Sequence, residues 1–134
     1  MRIFIDCEYN GFMGELISMA LVADSGEEFY EVLRCAEPCE WVANNVIPIL
    51  HKQPINALEF ECVLQNFLMR FDHIHVIADW PDDIKHFCDA LVTGPGRRLN
   101  TPPLTMEIIQ IDAESELPHN ALHDARGIRE ALTP

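Results

Sequence analysis

Apolar and polar residues first follow strand-like patterns in three short stretches, then shift to intervals of three and four. Arg2 to Cys7, Glu15 to Ala23 and Glu28 to Arg34 carry strand signals, separated by turn residues at Asn10-Gly11 and Asp24-Ser25-Gly26. Links this short favour an antiparallel meander. After Pro38 the spacing becomes helical: Trp41 to Leu50 predicts a short helix interrupted near Pro48, and Ala57 to Phe71 a longer one with Leu58, Cys62, Phe67 and Leu68 at helical intervals. Ile74 to Ala78 reads as a buried strand, followed by a helix from Pro81 with Ile84, Phe87, Cys88 and Leu91 on one face. The stretch TGPGRRLNTPP is a loop by its glycine and proline content, Leu104 to Ile111 is a last strand, and Asn120 to Leu132 a last helix. A meander followed by alternating helices and strands predicts an α/β fold, a mixed five-stranded sheet with helices on its faces.

The length of 134 residues and the absence of a repeat or linker point to one domain, 1–134. Nothing resembles a signal peptide, and no run approaches the ~20 apolar residues of a membrane span, so a soluble, cytoplasmic protein without a membrane partner is expected. The five cysteines are an odd number, and Cys35 and Cys39 lack the second pair or histidine that would complete a zinc site. Buried free thiols in a reducing compartment are the expectation. Twenty-two acidic residues against nine basic ones give a formal net charge of -13, which argues against broad electrostatic binding of nucleic acid. It leaves room for a phosphate-handling site in which divalent ions held by carboxylates provide the positive charge.

The stretch IFIDCEYN places Asp6 and Glu8 two apart at the end of the first strand, so both carboxylates share one face. Two like charges side by side are costly to bury unless a cation lies between them. In the last helix Asp124 sits beside the stripe of Ala121, Ala125, Ile128 and Leu132, and His119 lies just before or in its first turn. In IADWPDDIKHF, Asp79 closes a strand while Asp82 and Asp83 occupy the first helical turn, where the helix dipole welcomes negative charge. Asp83 borders the inward stripe through Phe87, and Asp82 falls outward with Lys85 and Asp89.

These three motifs, IDCEYN, the Asp at a helix start after a middle strand, and HNALHDA, resemble those of the DEDDh 3'-5' exonucleases, a superfamily with an RNase H-like fold. ELIS and WVANNVIPIL extend the similarity toward the compact bacterial exoribonucleases of the RNase AS type. The middle motif departs from the superfamily's common H-N-x-x-F-D: here Asp79 stands at the usual Asn and Asp83 at the catalytic Asp, with Asp79 as the alternative ligand. The resemblance implies a 3'-5' exonuclease that trims single-stranded nucleic acid, RNA before DNA, with two Mg²⁺ or Mn²⁺ ions. Asp6, Glu8, Asp83 and Asp124 would hold the metals, and His119 would act as general base. A homodimer, in which one subunit lends basic surface to the other's site, is a further expectation.

Alternatives are an exodeoxyribonuclease or oligonucleotide-trimming nuclease with the same residues, and, in a different class, a non-catalytic nuclease-fold binding module or acidic nucleic-acid mimic. A mimic has no need of a histidine five residues before Asp124. Trp80 and Glu15 are candidate substrate contacts. Arg97 and Arg98 are read as a solvated loop, His123 as surface, and His73, His75 and His86 as structural.

Overall fold

The computed structural model describes all 134 residues, and its centre is a five-stranded mixed sheet. The strands are β1 (Arg2–Tyr9), β2 (Leu16–Ala23), β3 (Glu28–Val32), β4 (Ile74–Ala78) and, after a small hairpin of β5 (Val92–Gly94) and β6 (Arg97–Arg98), β7 (Leu104–Ile108). Their order is β3-β2-β1-β4-β7, with β1, β2 and β3 antiparallel and β4 and β7 running parallel to β1. The helices are α1 (Glu40–Asn45), α2 (Ala57–Leu68), α3 (Pro81–Leu91) and α4 (Ala121–Leu132), and a 3-10 turn spans Ile47–Ile49. No helix is long and apolar enough to cross a membrane.

Strand parity decides which side each helix covers. Ile3, Ile5 and Cys7 of β1 join Met19, Leu21 and Ala23 of β2 on one face, under Phe60, Leu64, Phe67 and Leu68 of α2 and Phe87 of α3. The opposite face carries Phe4 and Ile77 against Ile128 of α4, and Ala20 and Val22 against Ala121 and Ala125. Further along that face, Ile17 and Val32 pack on Val42 of α1 and on Val46, which follows its last residue. The pairing of β1 with β2 slips where Glu8 faces Ser18 and Tyr9 faces Leu16, leaving Ile17 as the extra residue of a β-bulge. The bulge lies at the β1 end that carries Glu8.

Several elements differ from the sequence pattern. The helix expected over Ala57 to Phe71 stops at Leu68, and it buries Phe60, Leu64, Phe67 and Leu68, leaving Leu58 70% exposed and Cys62 in solvent. The segment ALEFECVLQNFL has apolar residues on two adjoining stripes, and the one with two phenylalanines removes more apolar area from water. The stretch Trp41 to Leu50 is, as expected, interrupted near Pro48: it divides into α1 and the 3-10 turn, because Pro48 has no N–H to continue the ladder. The glycine-rich loop contains the β5–β6 hairpin, turned at Pro95-Gly96, with Gly96 at φ 66°. The first three strands and β7 keep their places with ends shortened or lengthened by one to three residues. Of the cysteines only Cys7 is buried; Cys35 is partly covered, and Cys39, Cys62 and Cys88 are exposed, so the expectation of buried thiols holds for one residue. Cys88 thus falls off the inward face of α3.

Candidate metal centre

Because β1 and β4 run parallel, their C-terminal ends meet at one edge of the sheet, the edge where parallel sheets present ligands. Asp6 and Glu8 leave β1 there on the face covered by α4, and Asp79 follows the last residue of β4. Asp124, in the first turn of α4, leans over the same edge. Asp83 enters from α3, whose start is set by Trp80 in extended conformation and Pro81 at the first helical position. The backbone N–H of Cys7 donates to Asp83 Oδ1 at 2.9 Å, which fixes this carboxylate beside β1.

The five acids form two interlocking triads. Ligand oxygens of Asp6, Glu8 and Asp124 lie within 4.8 Å of one another, and so do those of Asp6, Asp79 and Asp83. Asp6 is the vertex common to both, and its Oδ2 is buried without a hydrogen-bond partner. A buried acceptor left unpaired costs roughly 1–3 kcal/mol, so the atom is poised for a donor or a cation. No lysine or arginine lines the cleft of about 560 Å³ that opens over the acids. The all-oxygen donor set suits Mg²⁺ or Mn²⁺ better than zinc, which favours nitrogen and sulfur.

Burial acts on every member, and repulsion from acidic neighbours adds to it for all but Asp124. Desolvation, followed by the charges of Asp83, Asp124, Glu8 and Asp79, holds the Asp6 carboxyl well above its usual range. Burial, then the nearby Asp124 and Asp83, pushes Glu8 up to about 8, and Glu8 lies close enough to Asp124 to share a proton with it. Asp83 is likewise raised to about 8, chiefly by burial and then by its acidic neighbours, against the opposing pull of the Cys7 N–H. Asp79 and Asp124 are raised as well, burial being the main cause for both. Without cations the cluster therefore retains protons at neutral pH.

His119 is exposed and lines the cleft, with its ring 4.9 Å from that of Trp41 in an edge-on contact at 84°. Its backbone adopts φ 73°, a left-handed conformation uncommon for a side-chain-bearing residue. Two ties hold it: the His119 N–H donates to Asp124 Oδ2 at 3.1 Å, and the next residue, Asn120, caps α4 by accepting from the N–H groups of Leu122 and His123. Asn120 Nδ2 also donates to the Ile49 carbonyl, joining the start of α4 to the 3-10 turn. Gly127 permits the close approach of the preceding chain, since a Cβ there would lie 2.0 Å from the Glu114 carbonyl oxygen.

Asp6, Glu8, Asp79, Asp83, His119, Asp124 and Trp80 thus surround one cleft. Asp79 and Asp83, read from sequence as alternatives, are both present. Glu15 is elsewhere: it lines a neighbouring groove of about 520 Å³ with Met13, Lys85 and His86. Asp82 lies at the rim, accepting from the Tyr9 hydroxyl at 2.8 Å and from Trp80 Nε1 at 2.9 Å. His75 bridges Thr105 and Glu107 across β4 and β7, and Arg97 and Arg98 project from the hairpin, outside the cleft. Sequence reasoning missed Trp41 and Phe12, which also line it. Their signal was large apolar residues off any core stripe. Neither the protein-family models nor the curated proteins compared with this chain match it.

Proposed function

We propose that the protein is a metal-dependent 3'-5' exonuclease of the DEDDh type, built on an RNase H-like fold, that hydrolyses phosphodiester bonds at the 3' end of single-stranded nucleic acid, RNA before DNA. The observation that carries this reading is Asp6, a half-buried residue at the shared corner of two acidic triads, whose Oδ2 is buried and unpartnered. Asp6, Glu8 and Asp124 would hold one divalent ion and Asp6, Asp79 and Asp83 a second. Mg²⁺ or Mn²⁺ in those places would supply Lewis-acid activation of water and charge compensation at the leaving oxygen.

The protein's own groups do the remaining work. An imidazole nitrogen of His119 accepts the attacking water's proton, while the Trp41 ring and the bond from its own N–H to Asp124 hold the histidine at the cleft wall. The Cys7 N–H keeps Asp83 oriented as its neighbours exchange protons for cations. The 3' polarity rests on the resemblance of IDCEYN and HNALHDA to the exonuclease motifs, and the preference for RNA on the closer resemblance of ELIS and WVANNVIPIL to the compact exoribonucleases. An acidic mimic would display its charges to solvent, whereas Asp83 is only 2% exposed.

End-labelled single-stranded RNA and DNA, incubated with Mg²⁺, Mn²⁺ or EDTA, test the proposal. Stepwise shortening from the 3' end is expected with either metal, with none in EDTA and none by Asp6→Asn. Absence of cleavage, or a ladder running from the 5' end, rejects it.

A further inference from the structure

Of the buried polar residues Ser18 alone is completely shielded from solvent, and its Oγ has no hydrogen-bond partner. A hydroxyl in that condition destabilises the fold, whereas alanine, of nearly the same shape, would not. Strand β2 does use alanine two residues on, where Ala20 stands opposite Asp6 on the same face. Packing therefore does not call for a serine, and the role of its hydroxyl lies in what it faces.

Strand register gives the answer. Ser18 is the direct cross-strand partner of Glu8 on one side and of Val32 on the other. Direct partners project from the same face with Cβ atoms about 4.5–5.5 Å apart, a separation that a hydroxyl and a glutamate carboxylate can bridge. Val32 is apolar, so Glu8 is the cross-strand neighbour whose side chain can accept. Two other side-chain donors on this side of the sheet are committed elsewhere. The Tyr30 hydroxyl, which burial and then the Glu8 charge push up to about 12, donates to the Leu50 carbonyl at 2.7 Å. Asn120 Nδ2 donates to the Ile49 carbonyl at 2.8 Å, and Asn120 Oδ1 caps α4. Ser18 keeps an unspent O–H behind the metal-site glutamate.

Resting on the metal-dependent reading above, we propose that Ser18 is a positioning residue for the ion of the Asp6–Glu8–Asp124 triad: its hydroxyl donates to one Glu8 oxygen while the other takes the cation. In the metal-free protein Glu8 leans on Asp124 instead, which leaves the Ser18 Oγ idle. The idle donor is then a site prepared for the metal-bound arrangement, and its cost to the fold is recovered when Glu8 swings to the ion. Asp83 is aligned in the same manner by the Cys7 N–H, so each triad has one acid oriented by a donor of β1 or β2.

Calorimetric titration of Mn²⁺ into the metal-free protein tests this. Ser18→Ala should weaken one of the two proposed ions by about tenfold or more and leave the other unchanged, since losing a group that orients a ligand typically costs roughly 10–100-fold in metal affinity. Its metal-free melting temperature should equal or exceed the parent's, because the hydroxyl has no partner there to lose. Ser18→Thr keeps the hydroxyl on a side chain suited to a strand and should bind close to the parent. Parental Mn²⁺ affinity in Ser18→Ala overturns the inference. A metal-free melting temperature well below the parent's does so too, by giving the hydroxyl a structural partner, as does a Ser18→Thr that melts like the parent and binds as weakly as Ser18→Ala. Ser18-dependent Mn²⁺ binding without oligonucleotide cleavage supports the positioning role and removes the nuclease reading. Cleavage with Mn²⁺ affinity unaltered in Ser18→Ala does the reverse.

Discussion

Mild acid should stabilise the metal-free protein, because its central carboxyls bind protons more tightly when folded than when unfolded. Glu8 moves from 4.5 to about 8 and Asp83 from 3.8 to about 8. A raised folded-state pKa contributes stability that is complete below the unfolded value, near pH 4, and is lost as the pH climbs through about 8. Taking Glu8 alone, the linkage between pH 4.5 and 7.5 removes about 4 kcal/mol, at ~1.4 kcal/mol per pKa unit. For a domain of this length that is a drop in melting temperature of roughly 10–20 °C. Calorimetry in metal-free buffer from pH 5 to 8 measures it.

Divalent metal should cancel the decline, since cations replace protons as the counter-charge. At a concentration 100 times the dissociation constant a single bound ion adds about 2.7 kcal/mol. Asp6→Asn provides the control. It removes the charge that the other four acids repel, so in metal-free buffer at pH 8 it should melt higher than the parent, yet it should lose the response to Mg²⁺. A melting temperature that rises or stays flat from pH 5 to 8 without metal would refute the reasoning.

His119→Ala should lose most turnover in the oligonucleotide assay while keeping the Mg²⁺-induced rise in melting temperature, because the histidine is not a member of either triad. Equal turnover would remove it from the chemistry. Gly127→Ala should destabilise the fold by about 1–3 kcal/mol, read by urea denaturation, since its new methyl meets the Glu114 carbonyl at 2.0 Å and must push back the chain leading to His119.

The meander and the paired acids were legible because both depend on parity along a strand. Asp6 and Glu8 share a face whatever the tertiary context, and Asp83 sits inward because Phe87 lies one turn on. What parity and period leave open is the choice between neighbouring stripes. On α2 both Leu58 with Cys62 and Phe60 with Leu64 fit a helical spacing, and only the shape of the sheet beneath selects the second. The β5–β6 hairpin was hidden by the glycines and prolines that mark a loop, although a Pro-Gly pair is also the signature of a tight turn. Trp41 escaped notice for a related reason. Its helix buries Val42, and a residue outside that face acquires meaning only when the chain leading into α4 brings His119 against it.

The middle motif shows most clearly what one dimension withholds. Along the chain, Asp79 and Asp83 compete for a single role, since each follows a strand or opens a helix and a template has room for one. In space they are on the same side of Asp6, within 4.8 Å of it and of each other, and both can serve one ion. They are not equivalent. Asp83 is buried and aligned by the Cys7 N–H, whereas Asp79 lies in a more open position and has no such bond to its side chain. A pre-aligned ligand loses less freedom on binding, so Asp83 should contribute more of the affinity. Titration calorimetry with Mn²⁺ should therefore give two ions for the parent and one for Asp83→Asn, with Asp79→Asn retaining a weakened second site. The amide oxygen introduced by Asp83→Asn can still accept from the Cys7 N–H, so the fold should survive the test. If Asp79→Asn loses the second ion while Asp83→Asn keeps it, the alignment of Asp83 serves the fold and Asp79 is the principal ligand.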